Sequence, residues 1–365
     1  MNRLMPILFL AGISSLPLAR ADDTTTPPLT GEDYLSECHD DSDSDDYAAV
    51  LQDCSDALQA GGLDTAETFM AYLYRGMAHH SRNEDDAAVA DITEAMAADP
   101  DHKDTDFAHF ERGAAYSDSK QYEKALADFD AAIKLKPAEA AYYAMRGNSS
   151  FDLGRNAEAL TDLSKAISFD PKDTGAFSSR SVVYLMQGDY ADTIADAKQV
   201  LQLDADDVSA RTEMGESYYF LGRYPEALAQ FDAQLAKSPK DDYAMIWRFL
   251  TTQRAGQDGA KTFATGMDGV DHASWTYVLG QLYLGKATRE QVVIAAAGAA
   301  GTDAVVQKQV LCQAKSFMAE FYRNSGQAAA AMPLFKDSLQ LCEANSIGRI
   351  VAQRGLAAPK KPKKG

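Results

Sequence analysis

The sequence repeats itself with a period of 34 residues. Aligning Arg112-Gly113, Arg146-Gly147, Arg180-Ser181 and Met214-Gly215 puts small residues at 113, 147, 181 and 215, a constant step of 34. Twelve residues later stand Ala125, Ala159, Thr193 and Ala227; sixteen later, Phe129, Leu163, Ala197 and Phe231; twenty-four later, Pro137, Pro171, Ala205 and Pro239. An earlier copy runs through Arg75-Gly76, Ala88, Ile92, Ala95 and Pro100. Between these anchors apolar residues recur at helical spacing, as in Ala125, Phe129, Ala132 and Ile133, while Gly154, Gly188 and Gly222 break the chain midway. Each unit is therefore a helical hairpin. Such a unit is too small to bury its own apolar face, so a row of them must stack to make a core.

The small, aromatic, Ala, Phe, Ala and Pro places are filled by Gly113, Tyr116, Ala125, Phe129, Ala132 and Pro137, and in this the chain resembles the tetratricopeptide (TPR) family. The resemblance implies an all-α fold, a right-handed α-solenoid of helical hairpins (TPR superhelix). Five units cover 69–241. A degenerate hairpin precedes them at 31–68, with Cys38, Tyr47, Val50, Cys54 and Ala57 at the corresponding places. Another follows at 312–345, carried by Ala319, Tyr322, Gly326, Ala331 and Phe335. Between them 242–311 reads as a diverged helical region, and 346–356 as a closing helix. The stretch 242–345, with Trp275, Leu282-Tyr283-Leu284-Gly285-Lys286, Glu290-Gln291, Glu320-Phe321-Tyr322 and Pro333-Leu334-Phe335, is similar to the C-terminal half of NlpI-type TPR proteins of the Gram-negative cell envelope. That likeness implies an adaptor that gathers envelope proteins.

Compartment is read from the first residues. Arg3, a short apolar stretch from Pro6 to Leu18, and Ala19-Arg20-Ala21 form the pattern of a secretory signal peptide over 1–21. The stretch is shorter than the roughly 20 apolar residues a bilayer span needs, Pro17 interrupts it, and no Cys stands near the cleavage point to accept a lipid. A periplasmic or secreted protein without a membrane span is expected. Residues 22–30 read as a disordered lead-in, and 357–365, with Lys360, Lys361, Lys363 and Lys364, as a basic disordered tail. Elsewhere acids dominate: 35 Lys+Arg against 54 Asp+Glu give a formal charge of −19, which argues against a nucleic-acid partner.

In two antiparallel helices facing residues have a constant index sum, so the midpoint of a facing pair falls at the turn. Arg75 with Asp91, Arg112 with Asp128, Arg146 with Asp162 and Arg180 with Asp196 have midpoints at 83, 120, 154 and 188, all turn positions. The next unit lacks both partners together, having Met214 and Gln230. Structural ion pairs within the hairpins are expected, contributing orientation more than stability. Cys38 with Cys54 (midpoint 46) and Cys312 with Cys342 (midpoint 327) obey the same rule, and in an exported chain they read as two disulfides stapling the degenerate end hairpins.

Chemistry is harder to find. Asp41, Asp43 and Asp45 alternate like a calcium loop, but Asp46 and Gln52 stand where Gly and Glu are needed. His39, His79, His80, His102, His109 and His272 form no metal-binding or catalytic pattern, and there is no P-loop, GxGxxG, GxSxG or C-x-x-C. No enzyme activity, cofactor or metal is expected. What remains is a surface for proteins or peptides of the envelope. In the TPR family the first helix of each hairpin lines a concave groove, which the resemblance places here at Met70, Leu73, Met77, Phe107, Phe110, Ala141, Ala144, Asn148, Phe151, Leu185, Glu216, Tyr219 and Phe220. The alternative function is a self-association module forming a homo-dimer without a dedicated peptide ligand.

Overall fold

A computed structural model describes residues 29–42 and 46–357, leaving aside the side chains of 41 and 42. The signal peptide, most of the lead-in, residues 43–45 of the acidic turn and the basic tail beyond residue 357 lie outside the described residues. Among these there are nineteen helices and no strand. The fold is all-α, a row of helices packed in consecutive pairs as the repeat predicts. It divides into two compact units: the first runs to Leu153 and takes Ser168–Asp170, and the second comprises Gly154–Ile167 and everything from Pro171 onward.

Unit 1 contains α1 (Gly31–Ser42), α2 (Tyr47–Ala60), α3 (Thr65–Ser81), α4 (Asp85–Ala98), α5 (Thr105–Asp118), α6 (Tyr122–Leu135) and α7 (Ala140–Asp152). Helices α1 and α2, α3 and α4, and α5 and α6 pack as antiparallel hairpins, and each second helix also packs on the first helix of the next pair. A Cβ on Gly113 would come within 2.7 Å of Phe129, so only a residue without one lets α5 and α6 approach this closely. The interior is segmented. One cluster gathers Phe69, Leu73, Ile92, Ala95 and Ala108, and a second gathers Cys38, Val50, Cys54 and Ala78.

Helix α8 (Asn156–Phe169) spans the division. Unit 2 continues with α9 (Thr174–Gln187), α10 (Tyr190–Leu203), α11 (Val208–Phe220), α12 (Tyr224–Lys237) and α13 (Asp242–Arg254). Asp173, Asp207 and Asp241 cap α9, α11 and α13, each accepting from the backbone N–H three residues on. These caps repeat with the period and fix where α9, α11 and α13 start. The diverged region is α14 (Ala260–Met267), α15 (Trp275–Tyr283) and α16 (Arg289–Ala299). The last hairpin begins earlier than the sequence suggests, because α17 runs over Ala304–Asn324, ahead of α18 (Ala328–Leu341) and α19 (Ile347–Leu356). Asp303 caps α17 by accepting from Val305 and Val306 N–H. A single core cluster, from Phe177 to Ala352, fills this unit.

Candidate functional site

In unit 1 the first helices present Met70, Met77, Phe107, Phe110, Asn148 and Phe151 half-buried. Phe110 is held by aromatic neighbours, its ring centroid 5.1 Å from Tyr142, 6.0 Å from Phe129 and 6.2 Å from Phe107. Beneath them the Tyr142 hydroxyl donates to the buried Asp106 carboxylate at 2.5 Å, which Lys136 Nζ approaches at 2.9 Å. Burial and that carboxylate push the Tyr142 phenol far above its usual range. Between α1 and α3 lies a cavity of about 270 Å³ lined by Leu35, His39, Met70 and Tyr74. Leu73 is corrected from groove to core: it is 1% exposed, within the cluster of Phe69 and Ile92.

Unit 2 corrects the groove further. Leu185, Glu216, Tyr219 and Phe220 are 3%, 3%, 4% and 9% exposed, so none of them is open to a partner. The chain itself covers them. The Tyr219 hydroxyl donates to Glu320 of α17, and Asn324 Nδ2 donates to the Tyr219 oxygen and to the Leu250 carbonyl, both at 3.3 Å. Arg354 of α19 donates to the Phe220 carbonyl at 2.8 Å and sets its guanidinium over the rings of Tyr190 and Phe220. Trp247, fully buried, stands edge-on to Tyr219, Phe220 and Phe317. Glu216 accepts from the Tyr243 hydroxyl at 2.7 Å, and burial raises its pKa to about 8. Burial likewise raises Glu213 to about 7, although the Ser181 hydroxyl donates to it at 2.5 Å.

The arginines lie at the hairpin interfaces. Arg75, Arg112 and Arg180 each donate through Nε and Nη2 to both oxygens of Asp91, Asp128 and Asp196, at 2.7 to 2.8 Å. Each has a further partner that the midpoint rule does not see. Nη1 reaches back to the preceding hairpin, to Ser55 at 3.1 Å, Thr93 at 3.0 Å and Ser164 at 2.9 Å. Arg146 donates to Asp130 at 2.6 Å in the same backward direction, while Asp162 belongs to the other unit. These contacts tie neighbouring hairpins together. Cys38 and Cys54 are joined with Cα atoms 5.1 Å apart, and Cys312 and Cys342 with Cα atoms 5.0 Å apart.

One histidine is less scattered than its sequence position suggests. His80, at the end of α3, brings Nε2 to 3.3 Å from Asp118 at the end of α5 and 3.9 Å from Asp85 at the start of α4. Its Nδ1 faces Glu111 at 3.9 Å. Asp118 and Glu111 hold the imidazole protonated, raising its pKa to about 9 against the opposing effect of burial. No spacing motif marks this group, because its members come from three separate helix ends.

Sequence profiles of the tetratricopeptide repeat match residues 107–138, 140–173 and 184–248. The chain is a tetratricopeptide repeat protein. The crystal structure of a TPR protein from Parabacteroides merdae superposes with a TM-score of 0.53 at 12% identity, covering 80% of this chain and 100% of that one. The C-terminal part of a TPR repeat-containing protein from Cytophaga hutchinsonii gives a TM-score of 0.46 at 15% identity, covering 78% and 98%. YrrB, described as a TPR protein with an unusual peptide-binding site, gives 0.44 at 20% identity, covering 53% and 95%. No curated protein sequence matches the chain, and nothing in these comparisons adds to the NlpI-type likeness of 242–345. The TPR assignment rests on the repeats; at these identities the solved structures speak for the fold alone.

Proposed function

We propose that this TPR protein is an exported, periplasmic adaptor that binds an apolar segment of an envelope protein on the first-helix face of unit 1. The observation that carries this reading is the contrast between equivalent faces. In unit 2 the face is sealed by the chain's own α17, which supplies Phe317, Glu320 and Asn324. In unit 1 Phe107 and Phe110 remain half-buried. The chain thus carries an example of what this surface accepts: one side of a helix, with apolar contacts at its centre and hydrogen bonds at its edge. Affinity from such anchors comes from burial and depends weakly on salt. No helix among the described residues is long and apolar enough to cross a membrane.

Pull-down from periplasm with the mature chain tests the reading. Phe107→Ala combined with Phe110→Ala should abolish capture of partners while circular dichroism keeps the helical signal; retained capture overturns it. Non-reducing peptide mapping of the exported protein should return Cys38–Cys54 and Cys312–Cys342 peptides, and four free thiols would contradict export to an oxidising compartment. The self-association reading has its own support in Ile294, Val305 and Val306, which are 70%, 53% and 40% exposed in unit 2. Light scattering of the pure mature chain distinguishes the two, since a dimer that persists when those three are replaced by Ser does not use that surface.

A further inference from the structure

We propose that His80, Asp85 and Asp118 form a divalent-metal site of unit 1, suited to Zn²⁺, with Glu111 orienting the imidazole. The candidate ligand atoms are His80 Nε2, one Asp85 oxygen and one Asp118 oxygen, all within 4.8 Å of one another. A tetrahedral zinc ion holds nitrogen and oxygen ligands at about 2.0–2.2 Å, which keeps neighbouring ligand atoms about 3.4 Å apart. The separation of 3.3 Å from His80 to Asp118 already has that value, and the 3.9 Å from His80 to Asp85 lies close to it. Small rotations of the two carboxylates complete the set. One imidazole and two carboxylates leave the fourth position for water or for a side chain brought by a partner.

A second observation points to a cation here. Glu111 is 5% exposed, and its carboxylate faces the His80 ring, 3.9 Å from Nδ1. A carboxylate facing the second ring nitrogen favours the tautomer with the proton on Nδ1, which frees Nε2 for a metal, and a shift of a few tenths of an ångström would bring it to the hydrogen bond usual behind metal-bound histidines. Charge agrees with geometry. With the ring neutral, as ligation through Nε2 requires, the three carboxylates carry three negative charges, of which a divalent ion offsets two. Access is open on one side, since the Asp118 side chain is 57% exposed while those of His80 and Asp85 are 19% and 18% exposed. The ligands tie the ends of α3, α4 and α5 together, so an ion there would clamp two consecutive hairpins.

The test is calorimetric titration of Zn²⁺ into chelator-stripped mature chain without an affinity tag. One equivalent should bind saturably. Asp118→Asn, on an exposed side chain that leaves the fold intact, and His80→Gln should each weaken binding by at least tenfold. Glu111→Gln should weaken it about 10- to 100-fold, as loss of an orienting carboxylate does. His39→Gln, remote from the cluster, should change nothing. Co²⁺ in place of Zn²⁺ should give visible d–d bands without thiolate charge transfer. Absence of saturable uptake overturns the proposal, as does uptake that survives both His80→Gln and Asp118→Asn in variants whose circular dichroism matches the parent.

Discussion

In unit 1 the interior comes in two small parcels, each drawn from three consecutive helices, and Phe107 and Phe110 remain half-buried at its surface. In unit 2 one aromatic core runs from Phe177 to Ala352, and α17 and α19 lie over the first-helix face of α11. The hairpin and its 34-residue spacing continue from one unit into the other. The difference shows that the repeat decides which side chains share a face, whereas distant sequence decides whether that face is covered. A TPR groove is therefore a property of what lies over the repeats as much as of the repeats.

The sharpest test of this contrast is truncation of one aromatic in each unit. Trp247→Ala, at the centre of the continuous core, should cost about 3–5 kcal/mol in denaturant unfolding. Phe110→Ala, at the half-open face, should cost less than half as much, and equal costs would erase the distinction. Next in size is Arg180→Met, which strands the buried Asp196 and should cost about 3 kcal/mol. Adding Asp196→Gln, to copy the Met214 and Gln230 combination, should recover most of the loss. A double-mutant cycle in either unit, on Arg180 with Asp196 or Arg112 with Asp128, should give similar coupling, since this device is common to both; zero coupling would show that it is idle.

The units should also respond oppositely to pH. Glu216 has a folded pKa of about 8 against a usual 4.5, so its contribution is fully present below 4.5 and is lost as pH climbs through 8. In unit 1 burial alone would raise Asp128, but Arg112 and His109 hold it below 3.8, so its contribution is present above that value and lost in acid. Both tryptophans of the chain, Trp247 and Trp275, lie in unit 2, so their fluorescence follows that unit alone. Its denaturation midpoint should fall between pH 5 and pH 8, and Glu216→Gln should restore at least about 1 kcal/mol at pH 8; an unchanged slope would refute the assignment. The smallest effect concerns the hairpin turns. Lys120 adopts φ 62° at the place where Gly188 and Gly222 stand in unit 2. Lys120→Gly should stabilise unit 1 by about 0.5–1 kcal/mol in denaturant unfolding followed by circular dichroism, by relieving the left-handed backbone.

Much of this architecture was legible in the sequence because it is local. A hairpin whose halves are sixteen residues apart at Arg and Asp writes its own geometry into the chain, and the cysteines follow the same rule. The sealed face was not legible. Tyr219 and Phe220 occupy the same helical positions as groove residues elsewhere, and their burial depends on Glu320 and Arg354, to which no periodicity points. Leu73 failed for a smaller reason: its helix turns it toward Phe69 and Ile92, one step off the open side. Ser55, Thr93 and Ser164 lie at no fixed offset from their arginines, so the backward bonds escape a single-spacing search. His80 needed three helix ends to be placed in space before its neighbours could be known.

The bond from Tyr219 to Glu320 spans 101 residues, and that from Arg354 to the Phe220 carbonyl spans 134. Rows of hairpins gain their contacts from immediate neighbours, so the hairpins of unit 1 can close one after another as the chain is synthesised. Unit 2 has no such schedule. Its aromatic inner face must wait, exposed, for segments made much later, and closing so long a loop slows folding while leaving apolar surface open to wrong partners. During synthesis this unit is consequently the one that keeps apolar surface exposed longest, and the arrival of α19 closes it.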